Sequence, residues 1–354
     1  MRWWVHPPSA TILGRTEEQP EVASEVPAQW ARAITDLQRV AQRRHVDRWT
    51  AEVVTAFGAK GIRPILLKGP AIARWLYSDT GARSYCDVDV LVSPAQLAAA
   101  EEVLLEIGFD EPVHPTWLLP HARAWVRAAD GATVDLHRTL HAMEAIPPES
   151  VWAETTMGAE SCVVGGVHVD IPGPVMRALH VVLHLSPGED PESQASEDLR
   201  RAMARVDRPT WHAAADRARR LGVADDMGQL LRESVDGAVL ADQLGLPSVG
   251  SLRSYAVSGL ERSDIPVSGY WFWCLGSLPS FHAKARWIVE RQFPSRRYME
   301  ERYRLARLGV AGLGAAYLVR LLASCAVLPG ATLHWLRFRY RLKNRLGGRP
   351  PARW

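Results

Sequence analysis

The chain has 354 residues and is 47% hydrophobic, which excludes a globally disordered protein and allows two domains or one domain with appendages. The formal net charge is +3, but the last eighteen residues carry seven basic and no acidic side chains, which leaves −4 on the residues before them. The body of the protein therefore lacks the positive charge of a general nucleic-acid binder.

The N-terminal stretch has the composition of an irregular segment. Residues 1–27 contain four prolines and predict a loosely ordered leader. No sustained apolar core of a signal peptide occurs there. The four cysteines lie far apart, without the spacing of a zinc site, and fit reduced thiols. We therefore expect a cytoplasmic protein.

A helical pattern follows this leader. Apolar residues recur at spacings of three and four from residue 28 to residue 57, which predicts one or two helices. Gly58 and Gly61 end the pattern before the first strand. We expect these helices to pack against the sheet that the next segments form.

A turn that could bind a phosphate group is predicted next. Residues 65–67 are apolar, as in a buried strand, and Lys68-Gly69 is typical of a tight turn. Pro70 suits the first position of a helix. Unpaired N–H groups at a helix start favour anions, and Lys68 adds a positive charge. Such a turn is also common without any ligand, so both interpretations stay open.

Two carboxylates then share one face of a predicted strand. Side chains alternate along a strand, so Asp87 and Asp89 point one way, while Val88 and Val90 point into the opposite layer. Paired carboxylates repel each other unless a cation lies between them, and Mg²⁺ takes such ligands together with water and phosphates. The pattern predicts a metal–nucleotide site; the alternative is a solvated strand edge.

Arg83 precedes this strand by four residues. An arginine there can pair with the two carboxylates or with a triphosphate. The alternative is an ordinary surface arginine.

Two hairpins complete the predicted sheet. The first, over residues 124–137, turns at Asp130-Gly131, and the second, over residues 161–171, turns at Gly165-Gly166. Asp135 in the first hairpin is a candidate third carboxylate, although a solvent-facing strand aspartate explains it equally well. Residue 173 is the predicted end of this domain.

The pattern from residue 174 to residue 265 predicts a helical domain. His180 and His184 stand at i and i+4, a spacing that can chelate zinc, but no further ligand is evident, so packing or a nucleotide contact is the favoured role. Asp198 at a predicted helix start is a further site candidate.

Residues 266–354 are aromatic and basic. Two apolar runs, residues 308–319 and 321–333, are interrupted by Arg320 and Pro329, and each is too short to span a membrane. An apolar segment followed by a basic tail favours peripheral docking on an anionic cytoplasmic membrane face. A core helix followed by a disordered tail is the alternative.

The order of several motifs carries a resemblance to a known family. LLKGPA at residue 66, Arg83, DVDVLV, Gly108-Phe109 and TVDLH occur in sequence. This order resembles the uncharacterised nucleotidyltransferase-like family of the DNA polymerase β superfamily over about residues 60–141. One departure from the superfamily is Lys68-Gly69 in place of its usual Gly-Ser pair. The resemblance implies an α/β (α+β) core with a mixed sheet over residues 28–173, followed by a helical C-terminal domain.

The resemblance also implies a reaction. A nucleoside monophosphate would pass from an NTP to a hydroxyl or phosphate acceptor with two Mg²⁺ ions, and pyrophosphate would leave. The implied catalytic and metal-binding residues are Asp87, Asp89 and Asp135, and the implied nucleotide-binding residues are Lys68, Gly69 and Arg83. Similar proteins occur near lasso-peptide and exopolysaccharide genes, which suggests a peptide natural product, a sugar, a lipid-linked compound or another small molecule as acceptor. The alternative hypothesis is a non-catalytic nucleotide-binding or membrane-associated scaffold module of the same fold.

Overall fold

The structure is a computed structural model that describes residues 28–78, 83–110, 121–186, 190–248, 280–294 and 296–345, with residues 272, 275, 276 and 278 between them. The predicted leader, most of the aromatic stretch before residue 280 and the end of the basic tail lie outside these residues. Contacts divide the chain into residues 1–38 and residues 39–354. Every contact described below lies within the second unit, and the domain boundaries at residues 173 and 265 stay predictions.

Helices and strands alternate in the first half of the chain. They are α1 (Ala28–Ala59), β1 (Ile65–Leu66), α2 (Pro70–Leu76), β2 (Val88–Leu91), α3 (Leu97–Glu106), β3 (Ala122–Arg127), β4 (Ala132–His137), α4 (Pro148–Thr156), β5 (Glu160–Val164) and β6 (Val167–Ile171). A 3-10 turn, Pro94–Gln96, leads into α3.

The six strands form one mixed sheet in the order β3-β4-β2-β1-β6-β5. β2 runs parallel to β4 and antiparallel to β1, and β1 runs parallel to β6. The two predicted hairpins, β3–β4 and β5–β6, are both antiparallel pairs. The predicted mixed sheet is therefore confirmed.

The alternation of side chains gives this sheet two different faces. Val88 and Val90 of β2 are fully buried in a core shared with α1 and α3. Leu91, on the other face, belongs to the core formed with the helices that follow the sheet. Asp89 shares this second face, because side chains two positions apart point the same way.

The turn between β5 and β6 requires glycine. Gly165 has φ 57°, and a Cβ atom there would lie 2.5 Å from the carbonyl oxygen of Asp47 in α1. Glycine accepts both the positive φ and the close approach. The hairpin thus lies against α1 at this point.

Helices dominate the second half of the chain. They are α5 (Pro174–Leu183), α6 (Gln194–Arg205), α7 (Arg208–Leu221), α8 (Ala224–Leu231), α9 (Val235–Gln243), α10 (Phe281–Gln292), α11 (Arg296–Arg302) and α12 (Gly309–Arg345), with a 3-10 turn at Arg304–Arg307. Buried side chains of α5 to α8, including Leu179 and Trp211, share one core with Leu91 of the sheet. The predicted helical C-terminal region is confirmed.

The last helix corrects one expectation. α12 continues through Pro329, although proline removes one helical hydrogen bond, and it joins the two apolar runs. Within the described residues, Gly309–Arg337 is therefore long and apolar enough to cross a membrane, by length and composition only. The expectation that the runs are too short was wrong because Arg320 does not interrupt the helix. Its guanidinium is buried and donates to the carbonyl oxygen of Arg291 in α10 at 2.8 Å.

Candidate functional site

Asp89 lies at the centre of a buried polar cluster. It is 4% exposed in β2, and its Oδ1 atom is 3.0 Å from both Lys68 Nζ and His137 Nε2. Lys68 lies two residues after β1, the strand beside β2, so the pairing of these strands brings its ammonium group to the carboxylate. The cluster is thus built on adjacent strands of one sheet.

Asp135 lies beside Asp89 on the next strand. The two residues are direct partners in the parallel pair of β2 and β4. Asp135 and His137 share a face of β4, and ligand atoms of Asp89, Asp135 and His137 all lie within 4.8 Å of one another. The sheet thus brings together two carboxylates that are 46 positions apart in the sequence.

Asp87 is close enough to Asp89 for the two carboxylates to interact electrostatically. It precedes β2, is partly buried and lies outside the group of ligand atoms just described. Burial and then the negative charge of Asp89 raise its pKa above the ordinary range of a carboxyl group. The structure therefore places Asp87 at the edge of the cluster and Asp89 at its centre.

The cluster carries more negative charge than Lys68 balances. Burial, followed by the charges of Asp89 and Asp87, raises the pKa of Asp135 to about 7. Burial alone would also raise the pKa of Asp89, but Lys68 and the hydrogen bond from His137 outweigh it and hold that pKa well below its usual range. A cation at the cluster would oppose both the burial and the repulsion that raise this pKa.

His137 is a site residue to which the sequence analysis assigned no role. Burial lowers its pKa to about 4 even though Asp89 opposes the shift, so the ring is neutral at neutral pH. We assign the proton to Nε2, which donates to Asp89, because the buried Nδ1 has no hydrogen-bond partner. The signal was available: in TVDLH, His137 follows Asp135 by two positions and must share its face.

The turn after β1 offers fewer donors than its sequence suggested. Gly69 has φ 52° and ψ −115°, a conformation that glycine adopts readily. Pro70 has no N–H group, and the N–H of Ala71 donates to the carbonyl oxygen of Lys68 at 3.1 Å. In addition, α2 has only 7 residues. The side chain of Lys68, 17% exposed, is thus the feature of this turn best suited to attract a phosphate.

Arg83 forms an ion pair with Asp198. Its Nη2 atom lies 2.7 Å from Asp198 Oδ2 and its Nε atom 3.0 Å from both oxygens of that carboxylate, whereas the sequence suggested either a pair with Asp87 and Asp89 or a contact with a triphosphate. Tyr77 also donates its hydroxyl hydrogen to Asp198 at 2.7 Å. Arg83 and Asp198, both candidates from the sequence, therefore form one buried ion pair.

A narrow, partly open cleft lies between the turn after β1 and the helices α2, α5 and α6. Its lining residues are Lys68, Ile72, Arg83, His180, Val181, His184, Ala195 and Asp198. Burial lowers the pKa of His180 to about 3 and the pKa of His184 well below its usual range, so both rings are neutral. Among the described residues, these two histidines belong to no group with the geometry of a metal site. They form a neutral wall opposite Lys68.

The donor atoms at the carboxylate cluster fit a hard dication. Asp89 and Asp135 supply carboxylate oxygens, the ligands that Mg²⁺ prefers. The neutral ring of His137 orients Asp89 through its hydrogen bond, as residues behind metal ligands commonly do. Burial and the charges of Asp89 and Asp87 raise the pKa of Asp135 more than Lys68 lowers it.

Comparisons with known proteins were made on the whole chain. A family model described as uncharacterised nucleotidyltransferase matches residues 5–233. No curated protein matches the sequence. One similar solved structure is that of an antigenic nucleotidyltransferase-like protein from Paracoccidioides brasiliensis, 14% identical over 53% of this chain and 93% of that chain, with a TM-score of 0.32. At that score the similarity supports no further statement.

Proposed function

This chain belongs to the uncharacterised nucleotidyltransferase family, and on that premise we propose that it transfers a nucleoside monophosphate from an NTP to a hydroxyl or phosphate acceptor. The observation that carries the proposal is the position of Asp135 beside Asp89, near Asp87 and Lys68. Three carboxylates that share the charge of one lysine form a costly arrangement without a dication. A cluster of this kind is typical of a metal-dependent site rather than of a structural ion pair.

Asp89 and Asp135 would hold Mg²⁺, and Asp87 would supply a carboxylate to a second ion. Bound Mg²⁺ neutralises charge on the phosphates and lowers the pKa of the attacking group. Lys68 would attract the triphosphate toward the turn at Gly69. The side chain of Lys68 can serve this role because it lines the cleft and is partly exposed.

The reaction forms one bond and breaks one bond. An acceptor oxygen attacks the α-phosphorus, while the bond from that phosphorus to the α,β-bridging oxygen breaks and pyrophosphate leaves with the electron pair. We assign Asp135 to accept the proton of an acceptor hydroxyl, since its carboxylate lies beside Asp89 at the reacting centre. The proton then passes to water.

Arg83 would position the turn instead of binding the triphosphate directly. Its Nη1 atom donates to the carbonyl oxygen of Gly69 at 3.4 Å, while Asp198 occupies Nε and Nη2. These contacts tie the turn after β1 to α6. A peptide natural product, a sugar, a lipid-linked compound and another small molecule all carry the hydroxyl or phosphate that the proposed reaction needs.

The first test is a thermal-shift panel of ATP, GTP, CTP and UTP, each with and without Mg²⁺. A nucleotide at about a hundred times its dissociation constant should stabilise the fold by roughly 2.7 kcal/mol. We expect one nucleotide to do so only with Mg²⁺, and the effect to vanish in the Asp87→Asn/Asp89→Asn variant. Asp216→Asn, a change at an exposed residue of α7, is the matched control and should keep the full shift.

Two outcomes would contradict this proposal. Stabilisation that persists without Mg²⁺ and survives in the double variant would favour the non-catalytic nucleotide-binding module. No stabilisation by any of the four nucleotides, with or without Mg²⁺, would overturn the assignment of the cleft as a nucleotide site.

For the C-terminal helix we propose peripheral contact with an anionic membrane on the cytoplasmic side. Leu318 and Leu322 are 60% and 61% exposed on α12, while Arg320 is held by α10 on another side of the helix. Basic residues that follow such a surface each add about 1 kcal/mol near anionic lipid. Leu318→Gln/Leu322→Gln should therefore reduce co-sedimentation with vesicles containing anionic lipid. Failure of the unaltered protein to bind those vesicles would overturn the proposal.

A further inference from the structure

A second cluster of metal-binding side chains lies next to the carboxylate cluster. It consists of His121, which immediately precedes β3, and of His141 and Glu144 in the turns after β4. One ligand atom from each residue lies within 4.8 Å of the other two. The cluster was not visible in the sequence, because the three residues have no recognised spacing.

We propose that His121, His141 and Glu144 form a zinc-type metal site distinct from the carboxylate cluster. Tetrahedral zinc with bonds of about 2.0–2.1 Å sets its ligand atoms roughly 3.3 Å apart. His121 Nδ1 lies 3.3 Å from Glu144 Oε1, and His141 Nδ1 lies 3.7 Å from the same oxygen. These separations are close to two edges of such a tetrahedron.

The ring of His121 supplies the second observation. The residue is 6% exposed, and its Nδ1 atom, although it faces Glu144, has no hydrogen-bond partner. A buried polar atom without a partner is costly. A metal ion between Nδ1 and the carboxylate would give Nδ1 the partner that it lacks.

The backbone around the cluster is fixed on both sides. The carbonyl oxygen of His121 accepts hydrogen bonds from Arg138 N at 2.9 Å and Thr139 N at 3.3 Å, which joins the start of β3 to the segment after β4. Between the other two ligands, Ala142 has φ 73°, a left-handed conformation that is unfavourable for an L-residue. The buried side chains of Leu140 and Met143 hold the turn in this conformation.

The donor atoms distinguish this site from the carboxylate cluster. Two imidazole nitrogens and one carboxylate oxygen favour Zn²⁺ or a similar late transition metal over Mg²⁺. Three protein ligands leave a fourth position for water or substrate. That position opens on the side of His141, whose side chain is 26% exposed, whereas that of Glu144 is 3% exposed.

The two sites are in contact through stacked rings. The centroid of the His121 ring lies 5.5 Å from that of His137, whose Nε2 donates to Asp89. A metal on His121 would fix the ring against which His137 packs. We therefore assign the second site the role of holding the segment after β4 in place beside the carboxylate cluster.

The test measures Zn²⁺ binding to untagged, metal-free, full-length protein by competition with a coloured chelator. We expect one Zn²⁺ per chain, bound equally well by the Asp89→Asn/Asp135→Asn variant. His141→Ala and Glu144→Gln should each weaken binding by more than the roughly 10–100-fold that loss of a supporting residue costs. His168→Ala, a change at an exposed histidine of β6, is the matched control and should bind like the unaltered protein.

Co²⁺ gives an independent measurement that does not depend on how the variants fold. Bound at this site in the unaltered protein, it should show the intense visible absorption of tetrahedral coordination, and Zn²⁺ should displace it. Absence of that absorption, or Zn²⁺ binding that is lost in His180→Ala and retained in His141→Ala, would overturn the proposal.

Discussion

Two aspartates, Asp89 in β2 and Asp198 in α6, are equally buried and have opposite surroundings. Asp89 and Asp198 are each 4% exposed. Asp198 is matched by the guanidinium of Arg83 and the hydroxyl of Tyr77, whereas Asp89 shares Lys68 with two further carboxylates. Burial alone therefore does not mark a site; the uncompensated charge around a buried group does.

The ion pair of Arg83 and Asp198, in which the charges are balanced, has a structural role. A buried arginine–carboxylate pair with several hydrogen bonds fixes the geometry of the elements that carry it, although its net contribution to stability is small. Arg83 and Asp198 join the approach to β2 with α6 in this way. In the carboxylate cluster, by contrast, Asp87, Asp89 and Asp135 share the positive charge of Lys68. Replacing one residue in each region should therefore have different consequences.

The largest expected effect is on stability, in the compensated region. Arg83→Met leaves Asp198 buried without its cation and should lower the free energy of unfolding by about 3–5 kcal/mol, measured by urea denaturation. The control is Arg63→Met, which breaks an ion pair with Asp170 whose arginine is 82% exposed and should cost no more than about 1 kcal/mol. Equal losses in the two variants would contradict the contrast between the regions.

The next effect is on turnover, in the carboxylate cluster. Asp89→Asn should reduce the rate of pyrophosphate release by roughly 100- to 1,000-fold, because a metal contributes several kcal/mol to the transition state. Stability should change little, since Lys68 is partly exposed and can turn toward water. Asp170→Asn, on β6, is the matched control. Full activity in the Asp89→Asn variant would contradict the assignment of Asp89 as a metal ligand.

The smallest effect is a dependence of stability on pH. Without metal, the pKa of Asp135 is about 7 in the folded protein and about 3.9 when unfolded, so the folded state keeps a proton between these values that the unfolded state loses. The stabilisation from that proton is lost as pH rises through 7. In the presence of a metal chelator, the Asp135→Asn variant should therefore be more stable than the unaltered protein at pH 8. The difference in stability should vanish near pH 4.

Calorimetry at several pH values measures this difference. Each 1 kcal/mol of this difference would move the melting midpoint by roughly 2–4 °C. Mg²⁺ at pH 8 should raise the midpoint of the unaltered protein and not that of the variant. Asp130→Asn is a control for which we expect the opposite dependence of stability on pH. The hydrogen bond from Arg127 lowers the pKa of Asp130 to about 2, so the ionised carboxylate of Asp130 stabilises the folded protein at neutral pH. The same pH dependence in both variants would contradict the charge excess at Asp135.

Part of the site was predictable because it depends on local geometry. The period of two along a strand placed Asp89 opposite Val88 and Val90, and the Asp-Gly turn predicted the hairpin that carries Asp135. The same period in TVDLH could also have identified His137. These inferences need only the backbone geometry of one element.

The partners of charged side chains were not predictable in this way. Arg83 stands four positions before Asp87, yet it pairs with Asp198, 115 positions further along the chain. Each charge is visible in the sequence, but the neighbour that packing brings to it is not. In α12, likewise, the sequence suggested that Arg320 interrupts an apolar segment. In the structure the helix continues through Arg320, whose guanidinium donates to the carbonyl oxygen of Arg291.

The sequence by itself determined the strands, the hairpins, most helices and the face on which the carboxylates lie, since these follow from short-range periodicity and turn chemistry. Only the tertiary structure decided which charges are balanced and which are not. It placed Asp135 in register with Asp89 and brought His121 to Glu144. The physical reason is that electrostatic partners are set by the packing of elements distant in sequence, and a buried charge acquires its chemistry from those partners.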